Sequence, residues 1–373
     1  MKIKQIEPIA ISLPMKKPVI MAGEEVTRAD NMLVRIEAAN DVVGWGEAAS
    51  APTMTGETVE GMVAAVRYLA PALLSRPADD ISGALGAMHG RMYGNHGAKA
   101  AIEIALHDLV GRATGRPVYA LLGEKRRTRM AVLAVIGTGH LISDLADAEA
   151  RRGQGFRAFK LKVGVDAPMA DAERTRRLCA VLSTDCLISA DANQGYSTDE
   201  ALHYVRALAD AHLDFFEQPV DAGDLSAMAS IAAASRVPIG ADEGIHSLDD
   251  IRRHHERRGA RGVSLKAIKL GGLRAVMEAG RLCEQLGMSV NVSCKTGESS
   301  IACAAAIHVA AAMPAIDWGL TLTMGGLVED VTANPIRIEE GHVAVSDRPG
   351  LGIEVDEARV RRHQRAVPAL QVA

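Results

Sequence analysis

Two lysines, Lys160 and Lys162, lie two residues apart in the otherwise apolar stretch FKLKVG at positions 159–164. Successive side chains of a β-strand point to opposite faces, so residues two apart point the same way. If this stretch is a strand, both ammonium groups emerge on one face. A lysine is a base only when neutral, so its pKa of about 10.4 must fall to about 7–8 for that role. A second cation on the same face and desolvation both lower it. The pair therefore suggests acid/base chemistry.

Three acids follow the lysine pair, each at the end of an apolar stretch. Asp191 lies in SADAN, Glu217 in FFEQP and Asp242 in GADEG, and Lys266 follows in LKAIKLGG. Any one of these acids could instead cap a helix or pair with a surface lysine. Helix capping and surface pairing are weaker explanations for three acids at a regular spacing of 24–26 residues. Carboxylate oxygens are the ligands that Mg²⁺ and Mn²⁺ prefer. Because converging carboxylates repel one another without a cation, the pattern predicts a divalent metal site between lysines.

The spacing of these residues fits a parallel barrel. From about residue 130, short apolar stretches alternate with helical segments, one of which begins with a capping box of Ser197 and Glu200. Eight such strand–helix units with nearly continuous apolar strands are typical of a parallel α/β barrel, whose active site lies at the carboxyl ends of the strands. The predicted strands cover residues 131–137, 158–163, 187–191, 213–217, 238–242, 263–268, 288–293 and 315–318.

The first third of the chain has a different pattern. Residues 32–38 alternate apolar and polar side chains and lead through a turn into a second extended stretch, which predicts an antiparallel hairpin or meander. Residues 100–113 have apolar side chains at helical spacing. We therefore predict an N-terminal α+β domain over residues 1–128 and a barrel over 129–330. The segment 331–373 is predicted to pack back on the first domain.

The composition limits the class of protein. The chain has 373 residues and 48% hydrophobic residues, which is ordinary for a globular protein, and its formal net charge of −4 argues against a nucleic-acid partner. Five cysteines without a CxxC pair argue against a disulfide framework and favour a reducing cytoplasm. The longest apolar stretch is too short to span a bilayer, so we expect no membrane partner.

The motifs resemble those of a known family. FKLKVG, SADANQGY, FFEQPV, IGADEG and LKAIKLGG are similar, in order and spacing, to the motifs of the muconate lactonizing subgroup of the enolase superfamily. Residues 97–123 and 347–357 resemble helices of its N-terminal domain and its C-terminal segment. The resemblance implies a modified TIM barrel, (β/α)₇β, with an N-terminal α+β capping domain that the C-terminal segment completes. It also implies a homo-oligomer.

The resemblance further implies the roles of the site residues. Mg²⁺, or Mn²⁺, is bound by Asp191, Glu217 and Asp242. Lys162 and Lys266 are acid/base groups on opposite faces of the substrate, and Lys160 is the electrostatic partner of Lys162. Asn193 and Glu243 match positions that support the metal ligands.

The implied chemistry is α-proton transfer on a small carboxylate substrate, through an enolate that the metal stabilises. Cycloisomerisation of a muconate-like acid, or racemisation or epimerisation, fits best. Asp317 is followed by Trp318 and Gly319, without the second acid that dipeptide epimerases of the subgroup carry, whereas this pair and Glu298 resemble the cycloisomerases. Epimerisation of dipeptides or N-acylamino acids, β-elimination by a dehydratase, a Schiff-base lysine enzyme and a non-catalytic binding protein remain alternatives.

The substrate pocket is the least defined part of the prediction. Trp318 either stacks on the substrate or packs in the core, and Glu298 is a further candidate. Loops at 14–24 and 49–58 are expected over the barrel mouth, with Met21 and Met54 lining the pocket. Lys16 and Lys17, in the first loop, are either solvent-exposed or placed to meet a distal carboxylate.

Overall fold

The computed structural model describes residues 1–21, 24–182 and 184–367. The chain begins with a three-stranded antiparallel sheet in the order β1-β2-β3. Its strands are β1 Ile3–Met21, β2 Glu24–Ala38 and β3 Val43–Ala49. The predicted hairpin from residue 32 onward is confirmed.

The predicted loop at 14–24 is wrong for the residues described. The β1–β2 pairing breaks register between Pro14 and Val19 and then resumes to its last pair, Met21 with Glu24. The two prolines and two lysines of this stretch suggested a loop. The apolar residues after Pro18 instead extend the hairpin, as expected of β-branched side chains.

Four α-helices follow this sheet along the chain. They are α1 Val59–Leu69, α2 Ile81–Arg91, α3 His96–Thr114 and the short α4 Tyr119–Leu122. The predicted helix at 100–113 is confirmed as α3, which is buried over most of its length. Glycine allows the close contact between α3 and β3, because a Cβ on Gly44 or Gly46 would lie 2.3 or 1.9 Å from a carbonyl oxygen of α3.

A parallel sheet of eight strands follows, in the order β12-β11-β10-β9-β8-β7-β6-β5. A parallel bridge between Val132 and Leu320 brings its two edges together, so the sheet forms a barrel. Its strands are β5 Ala134–Ile136, β6 Ala158–Lys162, β7 Leu187–Asp191, β8 Phe215–Glu217, β9 Ile239–Ala241, β10 Gly262–Leu265, β11 Ser289–Ser293 and β12 Leu320–Thr321.

Seven helices join consecutive barrel strands, which confirms the (β/α)₇β architecture with an N-terminal cap. The predicted capping box is present, because Ser197 and Glu200 cap α7 reciprocally. The connecting helices are α5 Leu141–Gly153, α6 Pro168–Leu182, α7 Thr198–Ala207, α8 Leu225–Ala234, α9 Leu248–Glu256, α11 Leu273–Leu286 and α12 Ser300–Ala312, and a single turn, α10 Ala267–Leu270, precedes α11.

Three strand predictions need correction. The predicted last strand at 315–318 is a turn, and the strand begins only at Leu320, after Gly319 with its left-handed φ of 75°. The stretch at 131–137 is divided, because β4 Arg129–Ala131 pairs outside the barrel with β13 His342–Ala344. The strand predicted to reach residue 268 ends at Leu265, where α10 begins with Lys266 as its N-cap.

The end of the chain returns to the first sheet. Gln364, just after α13 Glu357–His363, forms a bridge with Ile11 of β1. Leu351 N donates to Oδ1 of Asp108 in α3 at 2.8 Å. The division at residues 128 and 330 stays a prediction. Of the helices in the described residues, none is long and apolar enough to cross a membrane.

Candidate active site

The strand register places the lysine pair and the first two acids at one height in the barrel. Lys162 is the pairing partner of Asp191, and Asp191 is the partner of Glu217. Side chains two apart share a face, so Lys160 points to the same side as Lys162. These are the carboxyl ends of β6, β7 and β8, where parallel barrels carry their active sites.

Each lysine of the pair contacts a different acid. Lys160 Nζ lies 2.6 Å from Oε2 of Glu217 and 3.9 Å from Oδ2 of Asp191. Lys162 Nζ lies 2.7 Å from Oδ2 of Asp191 and 2.5 Å from Oδ1 of Asn193. Ser264 of β10 donates to the second oxygen of Glu217 at 2.9 Å. The pair is therefore divided between two carboxylates.

The third acid, Asp242, is held by two lysines from the next strand end. Lys266 contacts its Oδ2, and Lys269 lies 2.6 Å from its Oδ1. Lys269 also donates to the carbonyl oxygens of Asp242 and Ser264 and is fully buried. The sequence indicated no more than a supporting role for Lys269, because its contacts depend on the single turn of α10.

Burial and neighbouring charges shift the pKa values of these buried lysines and acids in different directions. Burial disfavours the charged form of Lys160, but Glu217 and Asp191 outweigh it and raise the pKa of Lys160. Burial would raise the pKa of Asp242, but Lys266 and Lys269 outweigh it and hold that pKa well below its usual range. For Glu217, burial outweighs Lys160, so its pKa is raised.

The two candidate acid/base lysines lie on opposite sides of the barrel. Lys162 ends β6 and Lys266 follows β10, and four steps separate these strands in a sheet of eight. Four steps are half the circumference of an eight-stranded barrel. The three acids stand on or just after β7, β8 and β9, which lie between the lysines. A molecule bound beside the acids would have one lysine on each side.

Residues next to the acids fix their orientation. Asn193, with a left-handed φ of 42°, donates from Nδ2 to Oε1 of Glu243 at 3.0 Å. Glu243 is buried and its Oε2 has no partner in the structure as described. Burial and the charge of Asp242 raise the pKa of Glu243 to about 7. Gln218, for which the sequence predicted no role, accepts the backbone N–H of Asp242 through its side-chain oxygen at 2.9 Å.

A cavity of about 380 Å³ opens above these residues. It is lined by Lys160, Lys162 and Lys266 and by Asp191, Asn193 and Asp242. Residues of the β1–β2 hairpin and of the 49–58 loop, Met54 among them, form part of the wall, and their contact with a substrate stays a prediction. Met21 is the last residue of β1, and its side chain lies outside the described part of the structure. The hairpin and loop residues in the wall are Met15, Lys16, Lys17, Pro18, Val19 and Met54.

Of the two alternatives raised for Trp318, the structure favours packing in the core. Its side chain is buried and stacks on Phe215 with ring centroids 4.1 Å apart. A Cβ on Gly240 or Gly262 would lie 2.9 or 2.5 Å from the indole ring, so glycine makes room for it. Phe215 and Gly262 begin β8 and β10. Trp318 therefore fills the end of the barrel opposite the site.

Glu298 lies behind the cavity wall. Its Oε2 accepts the backbone N–H of Lys295 at 3.0 Å, and Lys295 itself lines the cavity. Burial, with a smaller effect of Glu47, raises the pKa of Glu298 to about 8. Direct contact with a substrate stays a prediction.

The acids fit a divalent metal by their chemistry. Asp191, Glu217 and Asp242 are buried oxygen donors from three adjacent strands, the donor type that Mg²⁺ prefers. Among the described residues, no three His, Cys, Asp or Glu side chains are arranged so that they could hold a metal ion without moving. Lysines neutralise the acids instead. Oε2 of Glu243, buried next to Asp242, has no hydrogen-bond partner in the structure as described, so one further oxygen beside the three acids could accept a cation or a proton.

Comparisons with known proteins agree with this architecture. Residues 6–123 match the family described as mandelate racemase / muconate lactonizing enzyme, N-terminal domain, and residues 144–359 match the enolase C-terminal domain-like family. The chain is 32% identical to a chloromuconate cycloisomerase from Cupriavidus pinatubonensis, over 95% of this chain and 97% of that protein. It is 30% identical to an N-succinyl-L-Arg/Lys racemase from Bacillus cereus, over 96% of each.

A solved structure is also similar. The muconate lactonizing enzyme from Pseudomonas fluorescens, in complex with muconolactone, has a TM-score of 0.93 and 29% sequence identity, with 98% of this chain and 99% of that chain covered.

Proposed function

Because the chain belongs to the mandelate racemase / muconate lactonizing enzyme family of the enolase superfamily, we propose that it isomerises a small carboxylate by proton transfer at the carbon next to the carboxylate. Enzymes of this family depend on a divalent metal ion. The observation that carries the proposal is the placement of Lys162 and Lys266 on opposite sides of three buried acids.

Asp191, Glu217 and Asp242 would hold the metal, which we propose is Mg²⁺ or Mn²⁺. When bound, such an ion supplies positive charge that attracts the substrate carboxylate and stabilises the negative charge that develops on it. In the structure, Lys160, Lys162 and Lys266 contact these acids. Lys269 remains buried against Asp242 and fixes its orientation.

Lys162 and Lys266 would exchange the proton. One takes it from the α-carbon, and the other delivers a proton from the opposite side, which inverts the centre in racemisation. In cycloisomerisation, a single lysine suffices to exchange the α-proton of the lactone. Lys160, bonded to Glu217 at 2.6 Å, keeps positive charge beside the developing enolate.

The cavity supports an anionic substrate more than a cationic one. Lys16, Lys17 and Lys295 line its wall. Thr321 and Thr323 line it at the end of β12, where a substrate ammonium would need an acid. We therefore propose a dicarboxylate, such as a muconate-like acid or an acylamino acid with a distal carboxylate. This makes dipeptide epimerisation the weaker alternative.

The test is a substrate screen in D₂O with Mg²⁺, using muconates and their lactones, N-acylamino acids, dipeptides and proline derivatives. Deuterium at the α-carbon is read by NMR, and muconate conversion by loss of diene absorbance. At least one dicarboxylate should react in the native chain, and Lys162→Ala should abolish the proton exchange on at least one face of that substrate. Lys99→Met, at a buried lysine whose ammonium donates to Met92 O at 2.6 Å, is the matched control. Full activity after metal removal would contradict the proposal, and borohydride trapping of a covalent adduct would favour a Schiff-base enzyme.

A further inference from the structure

We propose that Glu47, on β3 of the N-terminal sheet, is a positioning residue that holds the β11–α12 loop, residues 294–299, and thereby one wall of the active-site cavity. The loop connects β11, the neighbour of the Lys266 strand, to α12. The predicted effect of Glu47 on activity rests on the proposed function. The predicted effect on the position of the loop rests only on the contacts in the structure.

The Glu47 carboxylate binds the start of α12 with four hydrogen bonds. It is fully buried, and it accepts Ser299 N–H at 3.0 and 3.1 Å, Ser299 O–H at 2.6 Å and Ala302 N–H at 3.0 Å. The first N–H groups of a helix have no partners within it, and a carboxylate there also interacts favourably with the helix dipole. Because Glu47 comes from another sheet, it joins the N-terminal sheet to the barrel loop.

Two other residues of the N-terminal sheet reinforce this contact. Asn31 on β2 donates from Nδ2 to Glu47 Oε1 at 2.7 Å and to Gly297 O at 2.9 Å. Gly297 has a left-handed φ of 88°, and a Cβ there would lie 2.5 Å from the Cβ of Ala29. The loop is therefore in direct contact with the sheet at its middle and at its end.

The loop and the residue before it shape the cavity. Ser293, Cys294, Lys295 and Thr296 line it. The fixed end of the loop determines where these residues stand, because Glu298, next to Ser299, accepts the N–H of Lys295. Among the described residues, Glu47 lines a small separate cavity with Glu298 and not the large one. It acts through the loop rather than on substrate.

Displacement of this wall should be costly for the reaction. A misplacement of about 1 Å of a positioning element reduces rates by roughly 10²-fold. We expect Glu47→Gln to lower the α-proton exchange rate at saturating substrate about tenfold, because it keeps the length of the side chain, and Glu47→Ala to lower it about a hundredfold. Mg²⁺ affinity should be unchanged in both, since no described contact links Glu47 to the three acids.

The test combines activity with a measurement that needs no substrate. Cys294 is buried in the native structure. Its alkylation by iodoacetamide, located by peptide mass spectrometry, should be at least tenfold faster in Glu47→Gln and Glu47→Ala. The matched control is Glu103→Ala, which removes another buried carboxylate of the N-terminal domain that caps a barrel helix, through Arg274 N at 3.0 Å, away from the loop.

Each outcome of these measurements tests a separate part of the inference. If Cys294 in the Glu47 variants reacts no faster than in Glu103→Ala, the loop is not held by Glu47 and the inference fails. If labelling is faster but exchange is unchanged, Glu47 holds the loop without positioning the site, and the inference fails in its second half. If no acid of the panel reacts in the native chain, the proposed function fails, while the labelling result still stands. Should Glu47→Ala not fold, Glu47→Gln carries the test.

Discussion

The ammonium group of Lys160 on β6 reaches past β7 to the carboxylate of Glu217 on β8, with 2.6 Å between Nζ and Oε2. Both side chains are almost completely buried. From the sequence, Lys160 is expected to be a second cation beside Lys162 that lowers the pKa of Lys162. In the structure its charge is balanced by Glu217, and its own pKa is raised despite burial.

The first prediction follows from this pair. Removal of one partner of a buried ion pair leaves an uncompensated charge, at a cost of about 3–5 kcal/mol. Lys160→Met should therefore lower the free energy of unfolding, measured with urea in metal-free buffer, by about that amount. Lys160→Met with Glu217→Gln should recover most of the loss. If the two changes add without recovery, the pair is not coupled as the geometry indicates.

The second prediction concerns the two sides of the substrate. Lys162 and Lys266 lie half the barrel circumference apart, so each should exchange the proton of one stereoisomer. Lys162→Ala and Lys266→Ala should each lose at least about 10²-fold, the usual contribution of a general acid or base, for opposite enantiomers of a chiral substrate found in the screen. NMR of each enantiomer in D₂O measures this. Equal losses for both enantiomers in each variant would argue against a lysine on each face.

The third prediction concerns metal binding. Asp242→Asn should abolish measurable Mg²⁺ binding by calorimetry, because it removes a charged oxygen donor. Glu243→Gln, a change beside the ligand set, should weaken binding by about 10–100-fold, as changes next to metal ligands do. Chelation should abolish activity reversibly. If Asp242→Asn binds Mg²⁺ as tightly as the native chain, the assigned ligand set is wrong.

Sequence patterns predicted the part of the site that depends on strand periodicity. The bounds of β7 agree with the prediction, and those of β6 differ by one residue, because their apolar stretches end in charged residues. Because side chains alternate between the two faces of a strand, Lys160 and Lys162 were then predicted to lie on the same face. Lys269 was undervalued because its role depends on α10, a single turn that no periodicity reveals.

The contacts between distant segments could not be predicted in the same way. Asp317 and Trp318 were assigned to a strand because the stretch is apolar, but α12 ends just before it and the chain needs a turn to enter β12. The place of the indole depends on the space above Gly240 and Gly262, which only the assembled barrel defines. Glu47 could not be singled out for the same reason, since its partners at the start of α12 are 252–255 residues away.

The fourth prediction tests the place of Trp318. Trp318→Ala would empty a space in the barrel core, and changes of this kind cost about 3–5 kcal/mol. The KM of the folded variant should stay within about twofold of the native value, because the indole lies at the opposite end of the barrel from the site. Trp318→Phe, which keeps a ring against Phe215, should lose less stability. A large rise in KM with unchanged stability would restore the substrate-binding interpretation.

The fifth prediction concerns acid stability and His254 in α9. Its side chain is fully buried, and neither ring nitrogen has a hydrogen-bond partner in the structure as described. Burial, against the opposing charge of Asp250, lowers the pKa of His254 to about 4. The unfolded chain therefore binds a proton near pH 6.5, while the folded chain does not until near pH 4. Between these values the unfolded state binds more protons, so this residue's contribution to stability is complete above pH 6.5 and is lost as the pH falls.

His254→Leu should accordingly be more stable than the native chain at pH 7, because it removes two buried polar atoms without partners. Its advantage should grow toward pH 5, by at most about 1.4 kcal/mol per pH unit, since one proton is involved. Urea unfolding at both pH values measures the difference, and the exposed neighbour His255→Leu is the control. The native chain and His254→Leu could instead lose the same stability between pH 7 and 5. That result would show that His254 is protonated equally in the folded and unfolded states, so that burial has little effect on its charge.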